Sequence, residues 1–220
     1  MAFSSGVRMS DFLEDKNIYT SVVSGPSVYK TPTIYDTGAG GENPIIYREQ
    51  IKDNFYHYVK IKDKFFTIES LKESFSGVSD SNILSSGNPC CFFFYENKVF
   101  GKYYNSPCIA IIDNWLENNS NGWRIPTKED YEDLFEFNVE DLQHAETWDN
   151  EGKLNKTMFS AFKAGFFSED IYFNSDSYFL TKTKDDDKYY YMILTNTEIG
   201  IRNTYETKNR GFQIRLCKDA

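Results

Sequence analysis

Residues 121–134 read NGWRIPTKEDYEDL, and this stretch decides the fold. It opens with Asn121 and Gly122, a pair that tolerates positive φ and predicts a tight turn. Residues 123–125 alternate apolar and charged side chains, which is typical of a short extended segment. Pro126 biases the residue before it away from the helical region, so the extended segment is predicted to end there.

A capped helix is predicted directly after the proline. Thr127 is a good N-cap, and Asp130 follows three residues later, as in a capping box with Asp in place of Glu. Tyr131, Leu134 and Phe135 recur at helical spacing and predict one apolar face on a core. Because these local signals agree, the stretch is expected to be a structural anchor of the domain.

Composition bounds the class of protein. The chain has 220 residues, enough for one ordinary domain with an appendage or for two small domains. Aromatic residues make up 17%, which is compatible with a β-rich core and also with a contact surface. The formal charge of −9 argues against a nucleic-acid partner, because such proteins concentrate Lys and Arg.

The sequence also bears on compartment. Residues 1–19 lack the basic start and apolar run of a secretory signal, and no apolar stretch approaches the roughly 18 residues of a membrane span. We therefore expect that the chain does not insert into a membrane. We expect it to be assembled in the host cytoplasm. The four cysteines have no metal-type spacing, since two of them are adjacent, and are interpreted as reduced core residues.

Residues 1–43 are unlike the rest of the chain. Prolines and glycines interrupt short β-prone pieces, so this part is expected to lack a core of its own. It nevertheless carries too many apolar residues for a solvated tail, and we interpret it as an extended anchoring arm that docks on a partner. The arm residues predicted to make that contact are Phe3, Phe12, Leu13, Tyr19, Val22 and Tyr29.

Residues 44–220 are predicted to form one globular domain. A hairpin is expected around residues 62–64, a buried strand over 90–95, and a helix in which Ser106 caps and Pro107 opens the first turn. Residues 140–156 are polar and predicted irregular. Further strands are predicted at residues 99–103, 165–167, 177–181, 188–194, 199–202 and 212–216. Two central helices between groups of strands favour an α+β fold with an antiparallel sheet.

Five landmarks occur in an order that resembles a known family. They are residues 59–72, 121–134, 157–166, 178–183 and 211–219. The second is similar to the motif SGWRLPTDAEWETL, and the last to GFSVRCVKD. In these features the domain resembles the Fibrobacter succinogenes major paralogous (FISUMP) family. The resemblance covers about residues 45–220 and implies a C-type-lectin-like fold, while it is silent about the arm.

Catalytic and metal-binding motifs are missing from the sequence. The two histidines, His57 and His144, are isolated, and neither a nucleophile elbow nor a phosphate loop nor a zinc motif is present. A related fold includes a copper-dependent oxygenase that needs a copper-binding pair of cysteines. Cys90 and Cys91 are poor candidates for such a pair, because they lie on a predicted buried strand. The acidic run 185–187 is interpreted as a solvated turn rather than a calcium site. We predict no enzyme activity, no metal and no cofactor.

The late strands are the predicted binding region. Tyrosine supplies contact area at low entropic cost, and Asn and Arg supply adaptable hydrogen bonds. The predicted ligand-binding residues are Tyr189, Tyr191, Asn196, Arg202, Asn203, Tyr205 and Arg210. The alternative is that alternate tyrosines pack inward and the remaining residues are ordinary surface. The residues predicted to hold the domain together are Trp123, Pro126, Thr127, Gly211 and Phe212.

The resulting hypothesis is a non-catalytic binding or structural module of a bacteriophage virion. The arm would attach it to other virion proteins, as part of a head or tail fibre or a decoration protein. The domain would present a lectin-like surface to cell-surface glycans or proteins, and a homo-oligomer is expected. The alternative is a bacterial surface or secreted ligand-binding protein, including one with diversified loops.

Overall fold

The structure is a computed structural model that describes residues 27–30, 45–80, 87–93, 101–144, 148, 156–168, 171–173 and 176–220. Strands predominate over short helices, so the α+β prediction is confirmed. In chain order the elements are β1 (Ser27–Lys30), β2 (Ile45–Ile51), β3 (Asn54–Ile61), β4 (Lys64–Thr67), β5 (Ser79–Asp80), β6 (Cys90–Phe92), β7 (Tyr103–Tyr104), α1 (Cys108–Asn119), α2 (Lys128–Glu132), a 3₁₀ turn (Asp133–Glu136), α3 (Val139–Leu142), β8 (Phe166–Ser168), β9 (Ile171–Phe173), β10 (Ser177–Asp185), β11 (Lys188–Leu194), β12 (Ile199–Thr204), a second 3₁₀ turn (Tyr205–Lys208), β13 (Arg210–Gly211) and β14 (Cys217–Asp219).

The largest sheet is antiparallel and has the strand order β1-β2-β3-β4-β14. It brings the last strand of the chain beside β4, where Lys218 lies opposite Phe65. A second sheet, β10-β11-β12, is built from two successive hairpins. The smaller sheets in the described part have the orders β13-β8-β9 and β5-β6-β7.

Two hydrophobic cores meet at the sheet β10-β11-β12. The first core packs β3 and β4 against α2 and includes Tyr131 and Phe179. The second core packs α1 and Trp123 together with Tyr178 and Phe212. Successive residues of a strand point to opposite faces, so β10 and β11 contribute side chains to both cores. This sheet is therefore held from two sides.

The stretch 121–134 folds as predicted. Asn121 and Gly122 have φ of 52° and 88°, and Trp123 is 1% exposed. Thr127 and Asp130 form the capping box, each side chain accepting from the other's backbone N–H. The prediction for Phe135 is wrong, because α2 ends at Glu132 and the following 3₁₀ turn leaves this ring 42% exposed.

Helix α1 begins one residue later than predicted. Pro107 is the N-cap, and no side chain caps the helix, so the predicted Ser106 cap is wrong. The buried Ser106 instead donates its backbone N–H to the carbonyl of Thr207. The inner face of α1 is formed by Cys108, Ile109, Ile112 and Leu116, which are buried, with Trp115 packed beside them.

Three other segments differ from the sequence-based expectations. The predicted strand 212–216 is wrong, because Phe212 and Gln213 make single bridges to different partners and regular pairing resumes only in β14. The predicted irregular segment 140–156 includes part of helix α3. Strand β6 ends at Phe92, and β7 begins at Tyr103, while residues 94–100 lie outside the described part.

Strand β1 belongs to the predicted arm. It pairs antiparallel with β2 at the edge of the large sheet, and Tyr29 lies in it opposite Ile46. The boundary between arm and domain at residues 43 and 44 stays a prediction. The remaining predicted arm contacts lie outside the described residues; they are Phe3, Phe12, Leu13, Tyr19 and Val22.

The prediction of reduced core cysteines is confirmed, since all four thiols are free and buried. Burial is the main cause that raises their pKa, to about 11 for Cys90 and in the same direction for Cys91, Cys108 and Cys217. Among the described helices, none has the length and hydropathy needed to cross a membrane.

Candidate recognition surface

The hairpin β11–β12 decides which late residues share a face. Tyr191 pairs with Arg202, and Tyr189 pairs with Thr204. Opposed residues in an antiparallel pair lie on the same face, so odd positions of β11 share a face with even positions of β12. The exposed side of this face carries most of the predicted binding residues.

Tyr191 is the fixed centre of this face. Its ring stacks on Phe212 at 5.2 Å between centroids and approaches Tyr178 at 6.1 Å. Phe212 is buried in the second core, and Phe166 stacks on it from the other side at 5.8 Å. Because the supporting rings are packed, the half-buried tyrosine is held in one orientation.

Two arginines flank the central tyrosine, and each is paired with a glutamate. Arg202 donates to Glu198 at 2.9 Å, and Arg210 pairs with Glu206. The guanidinium of Arg210 also lies 5.1 Å from the ring centroid of Phe166. Pairing with a carboxylate and stacking on a ring together restrict the guanidinium of Arg210, whereas the Arg202 pair is exposed and restrains its guanidinium less.

Tyr205 lies in the 3₁₀ turn after β12 and contacts Lys188, whose even position places it on the opposite face of β11 from Tyr191. Its ring is 54% exposed, and the ammonium of Lys188 lies 4.5 Å from the ring centroid. We call the set of residues around Tyr191 the tyrosine–arginine face. It consists of Tyr189, Tyr191, Arg202 and Arg210.

Burial keeps the phenols of Tyr189 and Tyr191 protonated by raising their pKa values. Burial raises the pKa of Tyr191, while the charges of Arg202 and Arg210 lower it and that of Glu206 raises it. Burial also raises the pKa of Tyr189, with Asp113 and Asp187 acting in the same direction. At neutral pH both hydroxyl groups therefore remain able to donate hydrogen bonds.

Three predicted binding residues are not part of this face, namely Tyr205, Asn203 and Asn196. Asn203 pairs with Tyr190 on the opposite side of the sheet, where Lys128 lies 5.3 Å from the ring centroid of Tyr190. Asn196 is exposed in the loop between β11 and β12. It is five residues from Tyr191, or about 16 Å along a strand, and so lies at the far end of the hairpin.

The sequence argument missed part of the support for the face. Phe166 was interpreted only as part of a strand, and Glu206 was not singled out. The signal for Glu206 was its spacing of four residues from Arg210, a separation that suits an ion pair in a helical turn. Nothing local predicts the contact between Phe166 and Phe212, because these residues are far apart in the sequence.

The predicted structural residues lie at junctions between elements. The indole of Trp123 donates to Glu49 at 3.1 Å, and the carbonyl of Pro126 accepts from Lys182 at 2.9 Å. Gly211 pairs with Phe167 across β13 and β8. Phe212 exchanges both backbone hydrogen bonds with Tyr104. The Thr127 capping box was described above.

Both histidines are buried and make structural contacts. His57 contacts buried Glu69, with 2.8 Å between the ring Nδ1 and Oε1, and its backbone N–H donates to the other carboxylate oxygen. Burial opposes ionisation of Glu69, yet the contact with His57 lowers the pKa of this carboxyl to about 2. His144 stacks on Phe162 at 4.4 Å, and burial lowers the pKa of His144 to about 4.

The acidic run is exposed, as expected for a solvated turn. Residues 185–187 are exposed at the turn between β10 and β11, which is a solvated hairpin tip. Trp148 is buried, and its indole donates to the carbonyl of Ala161 at 2.7 Å, so this residue is part of the first core. Within the described ranges no cluster of His, Cys, Asp or Glu has a metal-binding arrangement.

Comparison of the chain with models of known protein families, with curated proteins and with solved structures gives no match. What the tyrosine–arginine face binds must therefore be inferred from its own chemistry and geometry.

Proposed function

We propose that this chain is a non-catalytic binding module whose contact surface is the tyrosine–arginine face. The observation that carries the proposal is that two guanidinium groups act electrostatically on Tyr191, and that each of them is paired with its own glutamate. Aromatic and arginine side chains on a rigid support are the groups that dominate binding energy in protein recognition. The second core supplies that support beneath the tyrosine.

The charge of the face favours a neutral polar ligand. Glu198 and Glu206 offset the charges of Arg202 and Arg210, so the face offers hydrogen-bond donors and acceptors without a net positive field. The net charge of −9 for the whole chain disfavours polyanions further. Glycan hydroxyls and protein amides on a cell surface fit these requirements, and both remain within the proposal.

A C-type-lectin-like fold is the finer architecture that we propose. The support is the resemblance of residues 121–134 and of the chain terminus to the FISUMP family, together with the order of strands, helices and late hairpins. In folds of that type the late strands and loops commonly face the ligand. The tyrosine–arginine face lies in this part of the chain, on β11, β12 and β13.

A place in a bacteriophage virion is the setting that we propose, with a bacterial surface or secreted protein as the alternative. The support is the predicted arm of residues 1–43, which is rich in apolar residues and precedes a compact display domain. Attachment through such an arm to other virion proteins would present the face outward. A homo-oligomer would add avidity to a weak single contact.

The absence of catalysis is also part of the proposal. The described thiols are buried, and their raised pKa values keep them as neutral thiols at pH 7. His57 is buried against Glu69 rather than positioned in a cleft. These groups have structural partners that account for their positions.

Binding to bacterial cells tests the proposed surface. The fluorescently labelled chain is titrated onto a panel of bacterial strains and onto their extracted envelope polysaccharides. Arg202→Ala is expected to weaken binding at least about tenfold, the loss typical of a central contact residue. Asn203→Ala is the matched control, since it is the next residue on the same strand but points to the opposite face.

Three results would contradict the proposed binding surface. Equal losses for the two variants would show that β12 as a whole matters rather than this face. Unchanged binding of Arg202→Ala, or binding of the parent chain to no member of the panel, would overturn the proposal.

A further inference from the structure

The ammonium group of Lys218 is surrounded by aromatic rings on one face of the large sheet. Its Nζ lies 4.5 Å from the ring centroid of Trp123, 5.1 Å from that of Tyr58 and 5.8 Å from that of Phe65. The same ammonium donates a hydrogen bond to the carboxylate of Glu49 at 2.6 Å. We call these four walls, Glu49, Tyr58, Phe65 and Trp123, the aromatic box.

The register of the sheet brings the box together. Glu49 and Phe65 pair with the residues two positions before and two positions after Tyr58, and Lys218 pairs with Phe65. Opposed residues and alternate residues of a strand share a face, so all four side chains lie on the same side of the sheet. Trp123 closes the box from outside the sheet.

The walls are held by contacts that do not involve the lysine. The ring of Tyr58 packs edge-to-face on Trp123 at 5.0 Å and on Phe65 at 5.3 Å between centroids. Tyr58 and Trp123 are only 2% and 1% exposed. The carboxylate of Glu49 also accepts a hydrogen bond from the indole of Trp123 at 3.1 Å. Because the walls support one another, the box is expected to keep its shape when Lys218 leaves it.

The lysine is the replaceable part of this arrangement. Its side chain is 16% exposed, so the box lies next to solvent, and its four-carbon stem is flexible enough to turn outward. A primary ammonium is strongly hydrated and is well accommodated in water. A quaternary ammonium cannot donate hydrogen bonds, and aromatic faces are the surfaces that recognise it.

We propose that the aromatic box is a binding site for quaternary ammonium groups, and that Lys218 occupies it in the free protein. Ligand binding exchanges one cation for another, so the Glu49 carboxylate stays neutralised throughout. Choline of an envelope polymer and trimethyl-lysine of a protein carry the same trimethylammonium group. The site lies on the large sheet and does not depend on what the tyrosine–arginine face binds.

The indole signals of the full-length, ¹⁵N-labelled chain test the site by NMR. On titration with choline chloride, the Trp123 indole N–H signal is expected to move, because this indole is a wall of the box and donates to Glu49. The Trp115 and Trp148 signals are expected to stay, since those rings pack elsewhere. Single Trp→Phe variants assign the three signals, and sodium chloride at equal concentration is the control for ionic strength.

Three variants separate the box from general charge effects. Lys218→Ala is expected to bind choline at least about tenfold more tightly than the parent chain, because no lysine competes for the rings. Glu49→Gln keeps an acceptor for the indole but removes the charge, and it is expected to bind at least about tenfold more weakly. Lys184→Ala removes an exposed lysine of β10 outside the box and is expected to bind as the parent does.

Several results would overturn the proposal. They are a Trp123 signal that choline does not move in the parent chain, one that sodium chloride moves equally, equal choline affinity for the parent and Lys218→Ala, and full affinity in Glu49→Gln. The Glu49→Gln comparison with the parent decides the matter even if Lys218→Ala does not fold.

A second titration distinguishes the sources of the group. Tighter binding of phosphocholine than of a trimethyl-lysine peptide assigns an envelope polymer, and the reverse order assigns a protein; failure of both to move the Trp123 signal contradicts the site. Arg202→Ala is expected to bind choline as the parent does, so this test is independent of the proposed recognition surface.

Discussion

A buried arginine near the chain terminus links two separate backbone segments beside the first core, one at residue 67 and one at residues 159–160. Arg215 is fully buried, and its guanidinium donates to the carbonyl groups of Thr67, Phe159 and Ser160 at 2.7–2.9 Å. Its Cζ also lies about 5 Å from the ring centroids of Phe159 and Phe179. Burial lowers the pKa of Arg215 to about 10, so the group is still cationic at neutral pH.

Replacing this arginine is expected to be costly. Arg215→Met keeps the length of the side chain but leaves three buried carbonyl groups without their donors. We expect the free energy of unfolding to fall by about 3 kcal/mol or more, because each unsatisfied buried acceptor carries a desolvation penalty. Urea denaturation followed by tryptophan fluorescence measures this change.

An exposed arginine provides the comparison. Arg202→Met on the tyrosine–arginine face is expected to change the free energy of unfolding by less than about 0.5 kcal/mol, as is usual for surface positions. A loss of similar size in both variants, or a stable Arg215→Met chain, would contradict the assigned role of Arg215.

Single residues of the binding face were only partly predictable. Tyr191, Arg202 and Arg210 were selected by residue type, and the structure places them together. Asn203 was selected for the same reason and lies on the other side of the sheet. The sequence shows which residues alternate within one strand. Only the register between two strands determines which residues of both strands lie on the same face of the sheet. Arg215 was missed because nothing local distinguishes a buried arginine from an exposed one.

At the level of elements, the stretch 121–134 was predictable because its determinants are local. The turn, the proline and the capping box each depend on residues a few positions apart. Tertiary contacts then reinforce the result, since Arg124 exchanges two backbone hydrogen bonds with Cys217. The segment 212–216 has no such local determinants, and its backbone bonds go to distant partners such as Leu71 and Tyr104.

The cap of α2 makes a testable contribution to acid stability. Burial would raise the pKa of Asp130, but the hydrogen bonds from Arg124 and from the backbone of Thr127 outweigh it and lower the pKa to about 2. Because the folded pKa lies below the unfolded value of about 3.9, this carboxylate stabilises the fold above pH 4. That contribution is lost as the pH falls toward 2.

The matching variant is Asp130→Asn. At pH 7 we expect its free energy of unfolding to be lower than that of the parent chain by about 2 kcal/mol, and the difference should shrink between pH 4 and pH 2. Denaturation curves across this range measure it. Glu132→Gln, an exposed carboxylate on the same helix, is the control and should show no such convergence. A difference for Asp130→Asn that stays constant with pH would contradict the role of its ionised form.

At the level of the whole molecule, the sheet β10-β11-β12 connects stability to recognition. Its residues enter both hydrophobic cores, so its strands are fixed while the end of one face remains accessible. The order of elements gave the α+β class from sequence alone, because hydrophobic periodicity and turn signals repeat along the chain. The pairing of β1 with β2 was not predictable, since residues of an arm give no signal for the edge on which they dock.

The central claim is that ligands contact the tyrosine–arginine face, and hydroxyl-radical footprinting of the bound chain tests it most directly. The chain is oxidised free and bound to cells of the strain that binds it most strongly. Tyr191 is expected to lose reactivity on binding, while Tyr190, its neighbour on the opposite face, keeps its reactivity. Protection of Tyr190 with unchanged oxidation of Tyr191 would contradict the account.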